Sequence, residues 1–325
     1  MKKCFVPVQN DEIIDLLASS EIKPVENSYR RKPSEEELIS LLADCDAAIA
    51  TLEPYSKRVL DSAPRLKLIA KIGVGYDTID VDYATHKGVL VTFTPVPEQA
   101  KGMAEHALAL MLSFAKKVPY GNQEIRQGGW DALPVGEVQD LFGKTLGLLG
   151  LGRIGGQVAK RANAFEMKII YHDVIRRKEL EESIGIEYVS FEDLLSRSDF
   201  LSIHTPLNER TRGMIDAKAL SLMKTEAVLI NTARGAIVDE NALAHALIEH
   251  RLAGACLDAL SEEPPTTNHV FYYLGDRIPN LILTPHRGFS RETSRIMEMT
   301  AAMEVVSVLN GGRPKYLLNT GLVPS

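Results

Sequence analysis

Apolar positions along the chain fall into short runs separated by longer stretches in which apolar residues recur at steps of three and four. The short runs, at residues 4–8, 47–50, 66–70, 89–92, 146–149, 168–171, 200–204, 228–231, 253–257 and 281–284, predict buried strands. The longer stretches predict helices. Strands without polar alternation, each followed by a helix, are the pattern of parallel sheets covered on both faces. The runs before residue 100 predict one such sheet, and those after residue 145 a second. Between them, residues 98–117 follow Pro97, are rich in Ala, Leu and Met, and carry no Gly after position 102, which predicts one long helix bridging the halves. Residues 290–310 predict another, expected to return to the first sheet. There is no repeat at solenoid periods and no low-complexity segment.

One junction carries more than a fold prediction. In "GLLGLGRIGGQVAKRANAFEMKIIYHD" an apolar strand runs directly into Gly150-Leu151-Gly152-Arg153-Ile154-Gly155. Ile154, Val158, Ala162 and Phe165 then recur on one face of a helix. Gly150 allows a tight turn, Gly152 lets backbone approach a pyrophosphate, and Gly155 lets the helix pack close to the strand. The helix N-terminus directs unpaired N–H groups at the anion. A second strand ends at Asp173, about twenty residues past the first glycine, where a ribose-binding acid belongs. Strand, loop, helix, strand and acid in this order predict a dinucleotide site. Asp173 favours NAD over NADP, because its charge repels a 2′-phosphate. Arg176, Arg177 and Lys178 follow, and with Glu179, Glu181 and Glu182 close behind they predict a solvated helix start; the alternative is a basic cluster that meets a 2′-phosphate if the turn folds back toward the ribose.

Composition narrows the partners. The 325 residues are 45% hydrophobic and 25% charged, enough for two domains with sizeable cores. A formal charge of −6 without a basic stripe argues against nucleic acid or an anionic membrane as partner. The apolar run after Met1 is too short for a signal peptide, and no later run approaches a membrane span. Cys4, Cys45 and Cys256 are odd in number and far apart, suggesting neither a disulfide framework nor a metal site. A cytoplasmic protein is expected.

In α/β proteins sites form at the carboxyl ends of strands, and three apolar runs here end in ionisable residues. "LINTARGAIVDENAL" places Arg234 after a strand and before a helix whose start is marked by Asp239 and Glu240. "LDALSEEPP" places Asp258, Glu262 and Glu263 after the next, and "LILTPHRGFSRET" places His286 after a third. An arginine, a carboxylate and a histidine at neighbouring strand ends are able to converge.

With these motifs in hand, residues 40–310 resemble the NAD-dependent D-isomer-specific 2-hydroxyacid dehydrogenases. "KIGVGYDTID" is similar to the family's substrate-carboxylate loop, "GMAEHALALML" to its interdomain helix and "GLGRIG" to its nucleotide loop. "HTPLNERTRGMI", "NTARGAIVDENAL", "LDALSEEP" and "TPH", with Thr293 seven residues after the histidine, match the remaining signatures. The resemblance implies a flavodoxin-like substrate domain, residues 1–100 and 290–325, with an inserted Rossmann domain, residues 101–289, in a homodimer. It places the catalytic trio on Arg234, Glu263 and His286, and adds Val74, Thr205, Pro206, Thr232, Ala233 and Asp258 as cofactor contacts. In that chemistry His286 protonates the oxygen of a 2-oxo acid as hydride reaches its C2, Glu263 favours the charged ring, and Arg234 holds the substrate carboxylate with its planar fork. N–H groups around Val74 and Gly75 complete the anion site.

The departures concern the substrate. Lys71 stands where the family commonly has arginine, and Arg287, Gly288 and Phe289 follow the histidine in place of small aliphatic residues. Phosphoglycerate dehydrogenases commonly carry an arginine in the turn after the second predicted strand, where this chain reads Thr51-Leu52-Glu53-Pro54; an acid there is expected to repel phosphate. No regulatory domain is expected after Ser325. These points favour a small unphosphorylated acid, with D-3-phosphoglycerate as the alternative. A cofactor-sensing scaffold of the C-terminal-binding protein type is the alternative of another class, and it requires an exposed apolar peptide groove.

Overall fold

The computed structural model describes residues 1–29, 31–130 and 138–320; the last residues of the expected substrate domain, 321–325, lie outside them. The chain divides into two compact units, Met1–Gln99 with Arg291–Ser325, and Ala100–Ser290.

The first unit holds a five-stranded parallel sheet of β1 (Lys2–Val6), β2 (Ile22–Glu26), β3 (Ala47–Ala50), β4 (Leu68–Lys71) and β5 (Leu90–Phe93). Its order, β2-β1-β3-β4-β5, is that of flavodoxin-like sheets. Successive residues alternate between two cores, as the pleat requires. Cys4, Val6, Ala47, Ile49, Leu68 and Ala70 pack on one face, and Phe5, Ala48, Ala50 and Ile69 on the other. The helix Arg291–Leu309 lays Ala301, Ala302 and Val305 on the first of these faces, as the expected return to this sheet requires. β2 was not predicted. It reads "IKPVE" on the sheet edge with only Ile22 buried, so it lacks the apolar run of a covered strand, and Pro24 is tolerated because an edge needs no second donor.

The second unit holds seven parallel strands, β6 (Thr145–Leu149), β7 (Lys168–His172), β8 (Glu187–Tyr188), β9 (Phe200–Ile203), β10 (Val228–Asn231), β11 (Gly254–Leu257) and β12 (Leu281–Leu283). The order β12-β11-β10-β9-β6-β7-β8 is a Rossmann winding that reverses direction at β6 and β9. Leu149, Leu201, Ile203 and Leu229 face one core, and Leu146, Leu148, Phe200 and Ile230 the other. β8 escaped prediction because two residues carry no period.

Two helix readings need correction. The expected helix over 98–117 is observed as Pro97–Ala115, and a second helix, Val118–Arg126, begins where Lys117 takes a left-handed φ of 52° ahead of Pro119. Phe165 does not complete the apolar face of the helix Arg153–Ala164: it is the C-cap residue and is exposed, whereas Val158 and Ala162 are fully buried.

Candidate active site

The loop after β6 has the geometry of a phosphate-binding turn. Gly150 adopts φ 95°, and a Cβ there would lie 2.8 Å from the backbone of His204 and Thr205. A Cβ on Gly155 would stand 2.3 Å from the Gly150 carbonyl, so only glycine lets the helix approach the strand this closely. At Gly152 a Cβ would meet nothing within 4 Å, and this N-cap residue gives no side-chain bond to the first turn that Arg153 and Ile154 open. The helix therefore presents backbone donors to an incoming anion. Asp173, one residue past β7, accepts from Leu151 N–H at 2.6 Å through Oδ2 and from Ile175 N–H at 3.1 Å through Oδ1, which ties this acid to the glycine loop. His204, after β9, is set between Ser202 (Nε2 to Oγ 2.9 Å) and the glycines; burial pushes its imidazole down to about 4.

At the other half of the sheet the side chains do the work. β10 ends in Asn231, fully buried, whose amide nitrogen donates to Arg234 O at 2.8 Å while its oxygen accepts from Ala233 N–H at 3.0 Å. This shapes the turn that presents Arg234, whose Nη1 also donates to Ala233 O at 2.8 Å. After β11, Glu263 folds back to accept from Leu260 N–H at 2.9 Å and meets His286 Nδ1 at 2.8 and 3.0 Å through its two oxygens. Burial pushes the Glu263 carboxyl up, but the His286 hydrogen bond and charge, with Leu260 N–H and the Arg234 charge, outweigh it and hold the carboxyl below its ordinary range. Thus Glu263 and His286 are brought into contact, and Arg234 lies near enough to bias the carboxylate.

His286 sits in the left-handed region at φ 51°, held there by N–H bonds to Asp258 O (2.9 Å) and Thr284 O (3.0 Å). Such a conformation costs a non-glycine residue of order 1 kcal/mol and persists only where its surroundings fix it. Beneath it Asp258, buried to 1% exposure, gathers His106 Nε2 (3.1 Å), Thr284 Oγ1 (2.7 Å) and Arg287 N–H (3.1 Å) on Oδ1. Burial raises its carboxyl, and these donors, His106 first, bring it below the ordinary carboxylate range.

The residues fit NAD on two independent observations. The helix Arg153–Ala164 starts without a cap, and Asp258 Oδ2 and Thr232 Oγ1 are buried with no partner among the described residues. Buried polar atoms are rarely left unmet, and a carboxamide and hydroxyl-bearing ligand supplies the donors and acceptors these lack. Thr205, Pro206 and Ala233 stand at the ends of β9 and β10, all three at least partly open to solvent. Val74 and Gly75 belong to the first unit, in the loop after β4, where Gly73 exchanges two bonds with Thr94 (N–H to Oγ1 2.6 Å, O to N–H 3.1 Å). The buried Lys71 donates to Ile72 O just before that loop. Glu53, the acid expected to repel phosphate, is 2% exposed and accepts from Thr51 N–H and Oγ1, both at 2.6 Å.

Sequence reading missed a second layer. Glu240, read as a helix-start marker, is buried and accepts from Ser261 N–H at 2.8 Å, from the Ser261 hydroxyl, and from His269 Nε2 at 3.0 Å. The Leu260–Ser261 backbone also crosses against Gly235, where a Cβ would lie 2.0 Å from Leu260 C. Glu240 therefore straps the loop bearing Glu263 to the turn bearing Arg234. His269 gave no signal, being 29 residues from its partner.

Residues 108–288 match the family described as D-isomer specific 2-hydroxyacid dehydrogenase, NAD binding domain. The chain belongs to this family. A glyoxylate reductase from Thermococcus litoralis is 40% identical over 94% of this chain and 95% of its own length. A D-3-phosphoglycerate dehydrogenase from Methanocaldococcus jannaschii is 38% identical over 90% of this chain but only 55% of its own. The crystal structure of D-lactate dehydrogenase from Aquifex aeolicus, complexed with NAD and lactic acid, superposes with a TM-score of 0.87 at 28% identity, covering all of both chains. The protein is thus an NAD-dependent oxidoreductase acting between 2-hydroxy acids and 2-oxo acids, with two parallel-sheet α/β units. Among the described residues no helix is long and apolar enough to cross a membrane, and no group of His, Cys, Asp and Glu is arranged to hold a metal.

Proposed function

We propose that this enzyme reduces a small unphosphorylated 2-oxo acid, glyoxylate foremost, with the second unit holding NADH. The contact between His286 Nδ1 and Glu263 carries the reading. With Nδ1–H donated to the carboxylate, Nε2 is the nitrogen left to move a proton. NADH, when bound, supplies a hydride to C2 of the oxo acid. His286 Nε2–H then gives its proton to the carbonyl oxygen, and Glu263 stabilises the protonated ring before transfer. Arg234 pairs with the substrate carboxylate and stands beside the developing alkoxide, a role for a fork that lysine lacks. The backbone N–H groups of Val74 and Gly75, in the loop after β4, are suited to binding a carboxylate. NAD is held by the Gly150–Gly155 loop, Asp173, Thr205, Pro206, Thr232, Ala233 and Asp258.

An unphosphorylated substrate is supported by the turn at Glu53, which offers a buried acid and no arginine, and by the glyoxylate reductase relatives. A screen of NADH oxidation with glyoxylate, hydroxypyruvate, pyruvate, branched oxo acids and phosphohydroxypyruvate tests it. We expect kcat/KM for glyoxylate to exceed that for phosphohydroxypyruvate by about tenfold or more. The reverse order assigns the chain to phosphoglycerate.

We also infer a homodimer in the cytoplasm. The helix Val118–Arg126 has no buried residue and exposes Val118, Tyr120 and Ile125, with Trp130 beyond it, an apolar surface suited to a second copy. Three buried free cysteines suit a reducing compartment. Sedimentation equilibrium of a monomeric mass overturns the dimer.

A further inference from the structure

The residue nearest in sequence to Asp173 that is able to read a ribose phosphate is Arg176, and its guanidinium is already engaged. Nε lies 2.9 and 3.2 Å from the two carboxylate oxygens of Glu181, and Nη2 lies 2.8 Å from Oε2. Glu181 is fixed in turn by the Tyr171 hydroxyl, which donates to Oε1 at 2.7 Å, while that hydroxyl oxygen accepts from Arg177 N–H at 2.7 Å. Tyr171 is a fully buried residue of β7, so the acid is anchored to the sheet and not left on a mobile surface side chain. The guanidinium also stands 5.6 Å from the centroid of the Tyr188 ring. Side-chain exposure is 56% for Arg176 and 16% for Glu181, so the anion is the enclosed partner and the cation the one it holds.

Stability is a poor explanation for this arrangement, since an exposed ion pair contributes little to it. Position explains it better. A free arginine three residues past the ribose acid would offer a fork to a 2′-phosphate; a bidentate carboxylate removes both its charge and one edge of its donors. The clamp persists across working pH: the Arg176 hydrogen bond first, then Tyr171, holds the Glu181 carboxyl at about 2.

We propose that Glu181 is a specificity-determining residue for the cofactor: by holding Arg176 on the Tyr171 anchor it denies the 2′-phosphate of NADP its cation, leaving Asp173 to select NAD. This rests on the reading of Asp173 as the ribose acceptor. Glu181 touches neither the glycine loop nor the His286 pair among the contacts observed. Its effect falls on discrimination and not on hydride transfer.

The test is calorimetric titration with ADP and with adenosine 2′,5′-bisphosphate, repeated with NADH and NADPH. Glu181→Gln retains an acceptor for Tyr171 and discharges the clamp. It should tighten the 2′-phosphorylated ligands about fivefold and move ADP and NADH less than twofold. Adding Arg176→Ala should cancel the gain. An unchanged ratio in Glu181→Gln overturns the proposal, and so does a gain that survives Arg176→Ala, which would place the phosphate on Arg177 or Lys178. Asp173→Asn in the wild-type background separates the two readings. If it leaves the preference for ADP intact, the ribose assignment fails, whatever Glu181 does.

Discussion

At the carboxyl end of β6 the chain turns on residues without side chains, and the acid that completes the turn, Asp173, bonds to backbone N–H groups. The region beyond β10, β11 and β12, in the same sheet, is held by side chains bonded to one another: Glu263 to His286, Glu240 to Ser261 and His269, Asp258 to Thr284 and His106. The first region fails through sterics and the second through loss of a partner. Substitutions should therefore act on folding and binding in one and on turnover in the other.

The largest effect belongs to Gly155. A Cβ 2.3 Å from a carbonyl oxygen has no flexible neighbour to displace, so Gly155→Val should cost about 3 kcal/mol or more and remove NADH binding. A urea midpoint within experimental error of wild type would refute the close approach. Arg234→Ala should leave the urea midpoint nearly unchanged and lower kcat/KM about a thousandfold, with Arg234→Lys restoring only part. Turnover within about twofold of wild type would remove Arg234 from the site.

Glu240→Ala should sharpen the distinction between touching substrate and positioning what does. Loss of the strap on Ser261 is expected to lower kcat about tenfold with KM for NADH little changed, and Glu240→Gln should recover most of it. Equal loss in both variants, or a loss confined to KM, would contradict a positioning role.

The smallest effect is in acid stability. His204 is neutral in the fold and titrates at about 4, whereas unfolded histidine titrates near 6.5, so between those values the unfolded chain binds the extra proton. Stability from this group is full above about pH 6.5, falls as pH drops towards 4, and changes no further below. The loss is on the order of 2 kcal/mol once the ring's partial exposure is allowed for. Thermal melts from pH 7 to 4 should show a shallower decline for His204→Asn than for wild type, and parallel curves would refute it.

The two regions also differ in how far the sequence disclosed them. The glycine loop is written in consecutive residues, so spacing alone placed Gly150, Gly155 and Asp173. The strands at its flanks are apolar throughout because helices cover both faces, and their runs were equally plain. Arg234, Glu263 and His286 were visible one at a time as charges ending strands, and the family resemblance joined them. His106, Glu240 and His269 stayed hidden because each matters through a partner distant in sequence, and a buried polar residue looks locally like a cap or a turn, as Asn231 does at the end of β10. β2 was hidden by Pro24 and by one-sided burial, and the break at Lys117 by a backbone turn with no glycine to announce it.

In the proposed mechanism His286 delivers the proton and Glu263 keeps it available. This mechanism is tested most directly by the pH dependence of kcat/KM for glyoxylate reduction by NADH in wild type and Glu263→Gln. Removing the carboxylate disfavours the protonated ring, so the limb on which activity is lost with rising pH should move to lower pH, while NADH affinity measured by fluorescence stays within about twofold. Superimposable profiles for the two proteins would contradict the pairing and, with it, the assignment of His286 as the acid.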